Sequence, residues 1–363
     1  MNLPPRQTRP LWRQVLPGLL LVVALAWLAF RQPQTTPADD RLVTRDLFAL
    51  GTLVHVGLYL ESPEQRPAAQ AAMDQALEML SAFERRWSVR GDGELAQFNR
   101  SLSLGEAAQV PAPLIPLMEK SWALQQQSGG LFDPRVGALV SLWGFDEVEH
   151  FRQTPPHADA IQAKLESLSQ APAYVSGEAY GPAPGILWDL GGIAKGHAID
   201  RLSKQLRQAG FEHHIINAGG NLLASGRRGD RAWKIGIRHP RADQTDNPIL
   251  AALQTRGLEA VITSGDYERS FMHEDQRFHH ILDPRTGFPA SGAQSVSVIH
   301  ADAATADAAS TALFVAGDQW PVLARQMALD AVMVVDANGE IFMTPALADR
   351  IELAPGEHFK AVP

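Results

Sequence analysis

The 363-residue chain contains no cysteine. Disulfides, thiolate metal centres, a cysteine nucleophile and a lipid-modified N-terminal cysteine are therefore excluded. Positive charge is in deficit: 32 Lys and Arg stand against 40 Asp and Glu, a formal charge of −8. That balance argues against a nucleic-acid binder, which needs a basic stripe. Internal repeats and low-complexity tracts are also missing, and the 29 glycines and 25 prolines are scattered. What remains is a chain with 45% hydrophobic residues, enough to bury one large core or two modest ones.

Only one long apolar run stands near the N-terminus, LPGLLLVVALAWLAF at residues 16–30. Arg6, Arg9 and Arg13 precede it and Arg31 closes it. A basic segment before such a run suits a secretory signal or a short signal-anchor. The A-x-A sequence Ala24-Leu25-Ala26 lies inside the run rather than after it, which favours an uncleaved anchor. The excess of positive charge before the run then places the remainder of the chain outside the cytoplasm. Residues 32–45 read as a polar linker.

Beyond the linker, LFALGTLVHVGLYL reads as two strands around Gly51. Helices are predicted at 67–86, 113–127, 158–169, 193–209 and 303–315 from apolar residues at spacings of three and four. Strands are predicted at 186–190, 214–217, 222–224, 233–237, 260–263, 278–282 and 295–299, and a closing hairpin turns at Asn338-Gly339. Strands and helices mix without strict alternation, which points to an α+β fold.

Three polar stretches interrupt this pattern. WDLGGIAKGHAID, at 188–200, sets Asp189, Lys195 and Asp200 among glycines where a strand turns into a helix. It is not a P-loop, because His197 stands where the Lys belongs. A glycine pair before a helix start is a favourable place for an anionic group, or merely a tightly packed helix entry. ITSGDYERSF, at 262–271, and FHHILDPRTGFPASG, at 278–292, add polar turns ten residues apart. His279 and His280 are adjacent, so on a strand they face opposite ways and do not share one metal. In ATADAASTALFVAG, Asp307 and Thr311 fall four apart on one helical face among apolar neighbours. Such oxygen donors suit Mg2+ or Ca2+; the alternative is an Asp bonded to a nearby backbone amide.

DLGGIAKGHAID, NAGGNLLASG, TSGDYERSF, HHILDPRTGFPA and ADAASTALFVAG occur in the order and spacing of the ApbE family, the FAD:protein FMN transferases, which this chain resembles. ALGT, GELAQFN and GLFDPRVGALVSLWGF in the N-terminal half match as well, so the resemblance covers residues 46 to 343 or so. It implies a T-fold-like α+β fold of mixed sheets flanked by helices, two lobes with FAD in the cleft between them. One such domain would occupy 46–350, behind an anchor at 1–31, with 351–363 a C-terminal tail.

The implied activity is Mg2+-dependent transfer of the FMN moiety of FAD to a Thr or Ser hydroxyl of an acceptor protein, with release of AMP. Carried over by position, Asp307 and Thr311 match side-chain magnesium ligands, and Gly192 and Ser310 match carbonyl ligands. Asp189 and Lys195 match residues lining the FAD, as do Leu50, the run Leu131-Phe132-Asp133, and Ile262. His280 and Asp283 fall beside the reacting phosphate, where with Lys195 they form the catalytic candidates. The flavin-facing position before GELAQFN falls at Val89, with Trp87 close by. Many family members are lipoproteins; without cysteine, this chain would use its apolar anchor at the bacterial inner membrane, with the catalytic domain periplasmic.

Two other readings compete. A FAD pyrophosphatase would release FMN and AMP with no acceptor, and the motifs hardly separate it from a transferase. A flavin-carrying protein would not require the metal-ligand set of Asp307 and Thr311 together with Lys195.

Overall fold

The computed structural model describes residues 40–146, 152–245 and 247–362. The anchor predicted within 1–31 and most of the linker lie outside these residues. Among the described residues no helix is long and apolar enough to cross a membrane.

The chain opens with β1 (Leu42–Ala49) and β2 (Thr52–Tyr59), then α1 (Arg66–Trp87), α2 (Glu94–Ser103), α3 (Ile115–Gln127), α4 (Gly137–Trp143) and α5 (Ala158–Gln170). Next come α6 (Ala194–Gln208), β3 (His214–Ala218), β4 (Asn221–Ser225), β5 (Lys234–Arg238), β6 (Ile249–Gln254) and β7 (Glu259–Gly265). After β8 (Ser270–His273), β9 (Gln276–His279) and β10 (Ala293–His300) the chain forms α7 (Ala303–Ala316) and α8 (Trp320–Gln326). It finishes with β11 (Ala331–Asp336), β12 (Ile341–Met343), α9 (Pro345–Ala348), β13 (Ile351–Leu353) and β14 (Phe359–Ala361).

Nine strands make one sheet in the order β1-β2-β3-β4-β7-β10-β11-β12-β14, antiparallel except for the β12–β14 pair. A three-stranded sheet runs β13-β6-β5, and β8 pairs with β9. The mixed α+β architecture expected from the pattern is what the chain adopts.

Alternation along the strands assigns the two faces of the large sheet. Ile216, Ala260, Ile262, Val296, Val298, Val332 and Val334 join the core beneath α1, α6 and α7. Their neighbours Val261, Ile299, Met333 and Val335 join a second core against β5 and β6. Both faces are thus buried, and β7 ends in the polar pair Thr263 and Ser264, of which Ser264 shares the helical face with Ile262 and Thr263 turns to Ser297 on the other.

Three regions depart from the sequence reading. The strand expected at 186–190 does not form. Trp188 instead exchanges both backbone hydrogen bonds with the Asn99 side chain at 2.9 Å, and Asp189 N–H donates to the Pro134 carbonyl at 2.7 Å. Side-chain and loop partners have taken the place of a ladder, which leaves only an isolated bridge from Leu187 to Val136. The segment read as a C-terminal tail supplies β13 and β14, one to each of two sheets. At the other end β1 already begins at Leu42, inside the stretch read as linker.

Candidate functional site

The turn before α6 is shaped by Asp189, whose Oδ1 accepts the Gly191 N–H at 2.7 Å. The helix then starts with bonds from Ile193 and Ala194 back to the Leu190 carbonyl. Gly196 N–H would ordinarily donate to the Gly192 carbonyl four residues back. It donates to Asp307 Oδ2 instead, at 2.9 Å. Among the described residues no hydrogen bond to the Gly192 carbonyl is found.

Asp307 reaches this turn from α7. It is buried, 4% exposed, and its other oxygen accepts from Asn221 Nδ2 at 3.0 Å. No Lys or Arg among the described residues stands within ion-pairing distance of it. A buried carboxylate held only by neutral donors is an unusual expense for a fold.

One turn further along α7, Ser310 donates its hydroxyl to the Asp307 carbonyl at 2.9 Å. Ser264 at the end of β7 lies 2.8 Å from the Ser310 hydroxyl and 3.4 Å from that of Thr311. Thr311 closes on the turn: a Cβ placed on Gly192 would sit 3.6 Å from its hydroxyl oxygen and 3.2 Å from Phe132 Cε2. Gly192, Phe132, Ser264, Asp307, Ser310 and Thr311 therefore form one oxygen-rich cluster. Among the described residues no three His, Cys, Asp or Glu side chains gather to hold a metal by themselves.

A cationic patch adjoins the same turn. Lys195 lies in the first turn of α6. His280 is close enough to feel Lys195 and Arg269, and its N–H bonds to the Arg269 carbonyl at 3.1 Å. Burial, with those cations adding, holds the His280 imidazole well below its usual range, so the ring is neutral at pH 7. Its Nδ1 is sealed from solvent and has no hydrogen-bond partner among the described residues. The Arg269 guanidinium donates to the Phe145 carbonyl at 2.8 Å, and burial lowers its pKa against the opposing pull of Asp189.

The remaining candidates separate. Asp283 is locked by Arg285, with Oδ2 at 2.7 Å, and its carbonyl accepts the N–H groups of Thr286 and Gly287. Asp133 is locked in the same manner by Arg135, at 2.6 and 2.9 Å. Both aspartates shape turns. A cavity of about 490 Å³ lies between these turns and α5, lined in part by Asp133, Arg135, Pro284 and Arg285. Leu131 and Val89 pack at the margin of the core with part of their surface exposed. Trp87 is interior, stacked on Phe83 at 4.2 Å and edge-on to His197 at 5.6 Å. Ile262 is fully buried, two residues before Ser264 and so on the same strand face beneath it.

Leu50 occupies the two-residue turn between β1 and β2 with φ 55°, followed by Gly51 at 70°. Two positive φ values make a type I′ hairpin, where Asn-Gly is the favoured pair and a leucine is strained.

The family model of the ApbE family matches residues 50–333. The chain belongs to the ApbE family. Among curated relatives, the FAD:protein FMN transferase of Rhodobacter capsulatus is 36% identical over 352 residues, covering 93% of this chain and 64% of the relative. That of Treponema pallidum is 32% identical over 303 residues, covering 77% and 80%. Among solved structures, the ApbE protein of Thermotoga maritima superposes with a TM-score of 0.73 at 30% identity, covering 85% of this chain and 98% of that one. The flavin transferase ApbE of Vibrio cholerae has the same fold, with a TM-score of 0.71 at 23% identity.

Against the ApbE expectations, the candidate residues that the sequence reading passed over include Asn221, which holds Asp307, and Ser264, which bridges the α7 hydroxyls. Both lie inside stretches that carried the resemblance, NAGGN and TSGDY. A buried carboxylate needs donors, and the nearest polar turn residues were the signal available for finding them.

Proposed function

We propose that this chain is a FAD:protein FMN transferase that joins the FMN moiety of FAD to a Thr or Ser hydroxyl of an acceptor protein and releases AMP. The observation that carries the reading is the approach of α7 to the start of α6, with Asp307 on the Gly196 N–H and Thr311 beside Gly192, next to the cationic patch of Lys195 and Arg269. An oxygen cluster that suits a cation and a patch that suits an anion meet at one helix start. A pyrophosphate needs both.

The donor set fits a hard divalent ion. Asp307 is buried without a counter-charge, and the Gly192 carbonyl has no other partner among the described residues. Mg2+ would be held by Asp307, Thr311 and the carbonyls of Gly192 and Ser310, and it would neutralise phosphate oxygens as a Lewis acid. Lys195 and Arg269 would bind the pyrophosphate and orient the phosphorus on the FMN side. Leu50, Val89, Leu131, Phe132, Asp133, Asp189 and Ile262 would form or support the FAD-binding wall, Ile262 from below.

The acceptor oxygen forms a new bond to that phosphorus while the bond to the AMP oxygen breaks. His280, kept neutral, accepts the hydroxyl proton. Burial first, and then Arg269 and Lys195, depress its basicity, and the charge of a bound pyrophosphate would offset the two cations. Asp283, tied to Arg285, holds the turn that follows His280. The apolar run at 16–30 would anchor the protein in the bacterial inner membrane with this domain periplasmic.

The pyrophosphatase reading makes the opposite stoichiometric demand. With FAD and Mg2+, AMP should appear in step with modified acceptor and hardly at all without acceptor. Equal AMP release with and without acceptor, accompanied by free FMN, would favour hydrolysis.

The strained turn gives a separate check on the flavin wall. Leu50→Asn should relieve about 1 kcal/mol of left-handed strain and raise the melting temperature of the apo protein. FAD affinity should fall several-fold, because an apolar contact is lost. A lower melting temperature with unchanged FAD affinity would remove Leu50 from the site.

A further inference from the structure

Asp200, the last residue of the DLGGIAKGHAID stretch, makes no side-chain hydrogen bond to a site residue among the described residues. Its carboxylate crosses from α6 to the start of α7, where it accepts the N–H groups of Ala303 at 2.9 Å and Ala304 at 2.8 Å. The α7 N-terminus already has a cap of its own: Asp302 accepts from Thr305 N–H at 2.7 Å and pairs with Lys120 at 2.8 Å. Ala306 N–H bonds to the Asp302 carbonyl. That is the first bond of the helix itself, and the four N–H groups left open before it are all satisfied: that of Asp302 by His300 Nδ1 at 2.9 Å, that of Thr305 by Asp302, and those of Ala303 and Ala304 by an aspartate from another helix.

The second carboxylate is costly. Burial and the neighbouring Asp302 raise Asp200 to about 6, against the help of the two backbone N–H bonds and Lys120. Capping alone does not call for it. What it adds is a tie between helices, and that tie is reciprocated. Asp307 on α7 accepts from Gly196 N–H in the first turn of α6, while Asp200, four residues after Gly196 on the same face, accepts from the first turn of α7. Between the two ties the backbones touch: a Cβ on Gly196 would lie 2.3 Å from the Ala303 carbonyl oxygen. Helix rise is about 1.5 Å per residue, so a small slide of α7 would carry Asp307, Ser310 and Thr311 off the Gly192 turn.

We infer that Asp200 is a positioning residue, which sets the depth of α7 against α6 so that the Asp307 and Thr311 oxygens face the Gly192 carbonyl. The inference rests on the reading of Asp307 as a cation ligand. Asp200→Asn keeps one acceptor oxygen, Asp200→Ala keeps none, and Asp302→Ala removes the local cap while leaving the tie between helices intact.

The test is a Mg2+ titration of each full-length protein with FAD and no acceptor, followed by calorimetry, beside melting temperatures measured without metal. All three variants should lose melting temperature. The Asp200 variants alone should need about tenfold or more Mg2+ for half-saturation, Ala more than Asn, as for groups that orient metal ligands. Asp302→Ala should keep the parental value.

Should Asp200→Ala fail to fold, the Asn variant decides. A parental half-saturation in the Asp200 variants, or an equal shift in Asp302→Ala, would reduce Asp200 to a cap and overturn the inference. Asp307→Asn is the control for the underlying reading: if it binds Mg2+ as the parent does, that reading fails, independently of Asp200.

Discussion

Asp307→Asn should cut Mg2+-dependent AMP release by about three orders of magnitude, or about 4 kcal/mol of transition-state stabilisation. The variant removes an anionic ligand without opening a cavity. Its hydrogen bonds can also be rebuilt. The Asn oxygen can accept from Gly196 N–H in place of Oδ2, and its amide can donate to Asn221 once that side chain flips. Asp307→Ala has no such escape, since it orphans the Gly196 N–H and the Asn221 amide together and should lower the melting temperature as well. Turnover by Asp307→Asn at the parental rate, measured as AMP released at saturating FAD and acceptor, would leave Asp307 a purely structural role.

A second large effect is expected at His280. His280→Ala should lower the rate at saturating FAD by about 10²- to 10⁴-fold while FAD binding changes little, because the ring moves a proton rather than holding the flavin. The pH dependence follows from its environment. Burial lowers its pKa, so the neutral, proton-accepting form persists on acidification to well below the usual imidazole value. The acid limb of kcat/KM should therefore lie below pH 6.5. With FAD bound, the pyrophosphate charge opposes Lys195 and Arg269, and the acid limb of kcat should move upward. Parental rates in the variant, or an acid limb unaffected by its loss, would exclude His280 as the base.

How far these residues could be seen in advance depended on the range of the interaction. Period and spacing located α6 and α7, because a buried helical stripe is written in consecutive residues. The juxtaposition of Asp307 and Thr311 followed from the same geometry. Partnerships across the chain were invisible to it: Asp307 with Gly196 and Asn221, Asp200 with Ala303, and Ser264 with Ser310. The strand expected at 186–190 failed for that reason too, since Asn99 captured its backbone from a distant helix. Strands β13 and β14 are three residues each, too short to show an alternation. The family resemblance supplied the candidate site residues that period could not. It could not tell which carboxylates, such as Asp133 and Asp283, were already committed to neighbouring arginines.

The central claim is that the FMN half of FAD is transferred intact to an acceptor hydroxyl. Intact-mass measurement of an acceptor domain, after incubation with this protein, FAD and Mg2+, tests it most directly. The acceptor should gain the mass of FMN less one water, and replacing its modified Thr by Ala should abolish the gain. FMN offered alone should give none, since it lacks the AMP leaving group. Modification with FMN as the donor, or free FMN and AMP with no labelled acceptor across several plausible acceptors, would contradict the account.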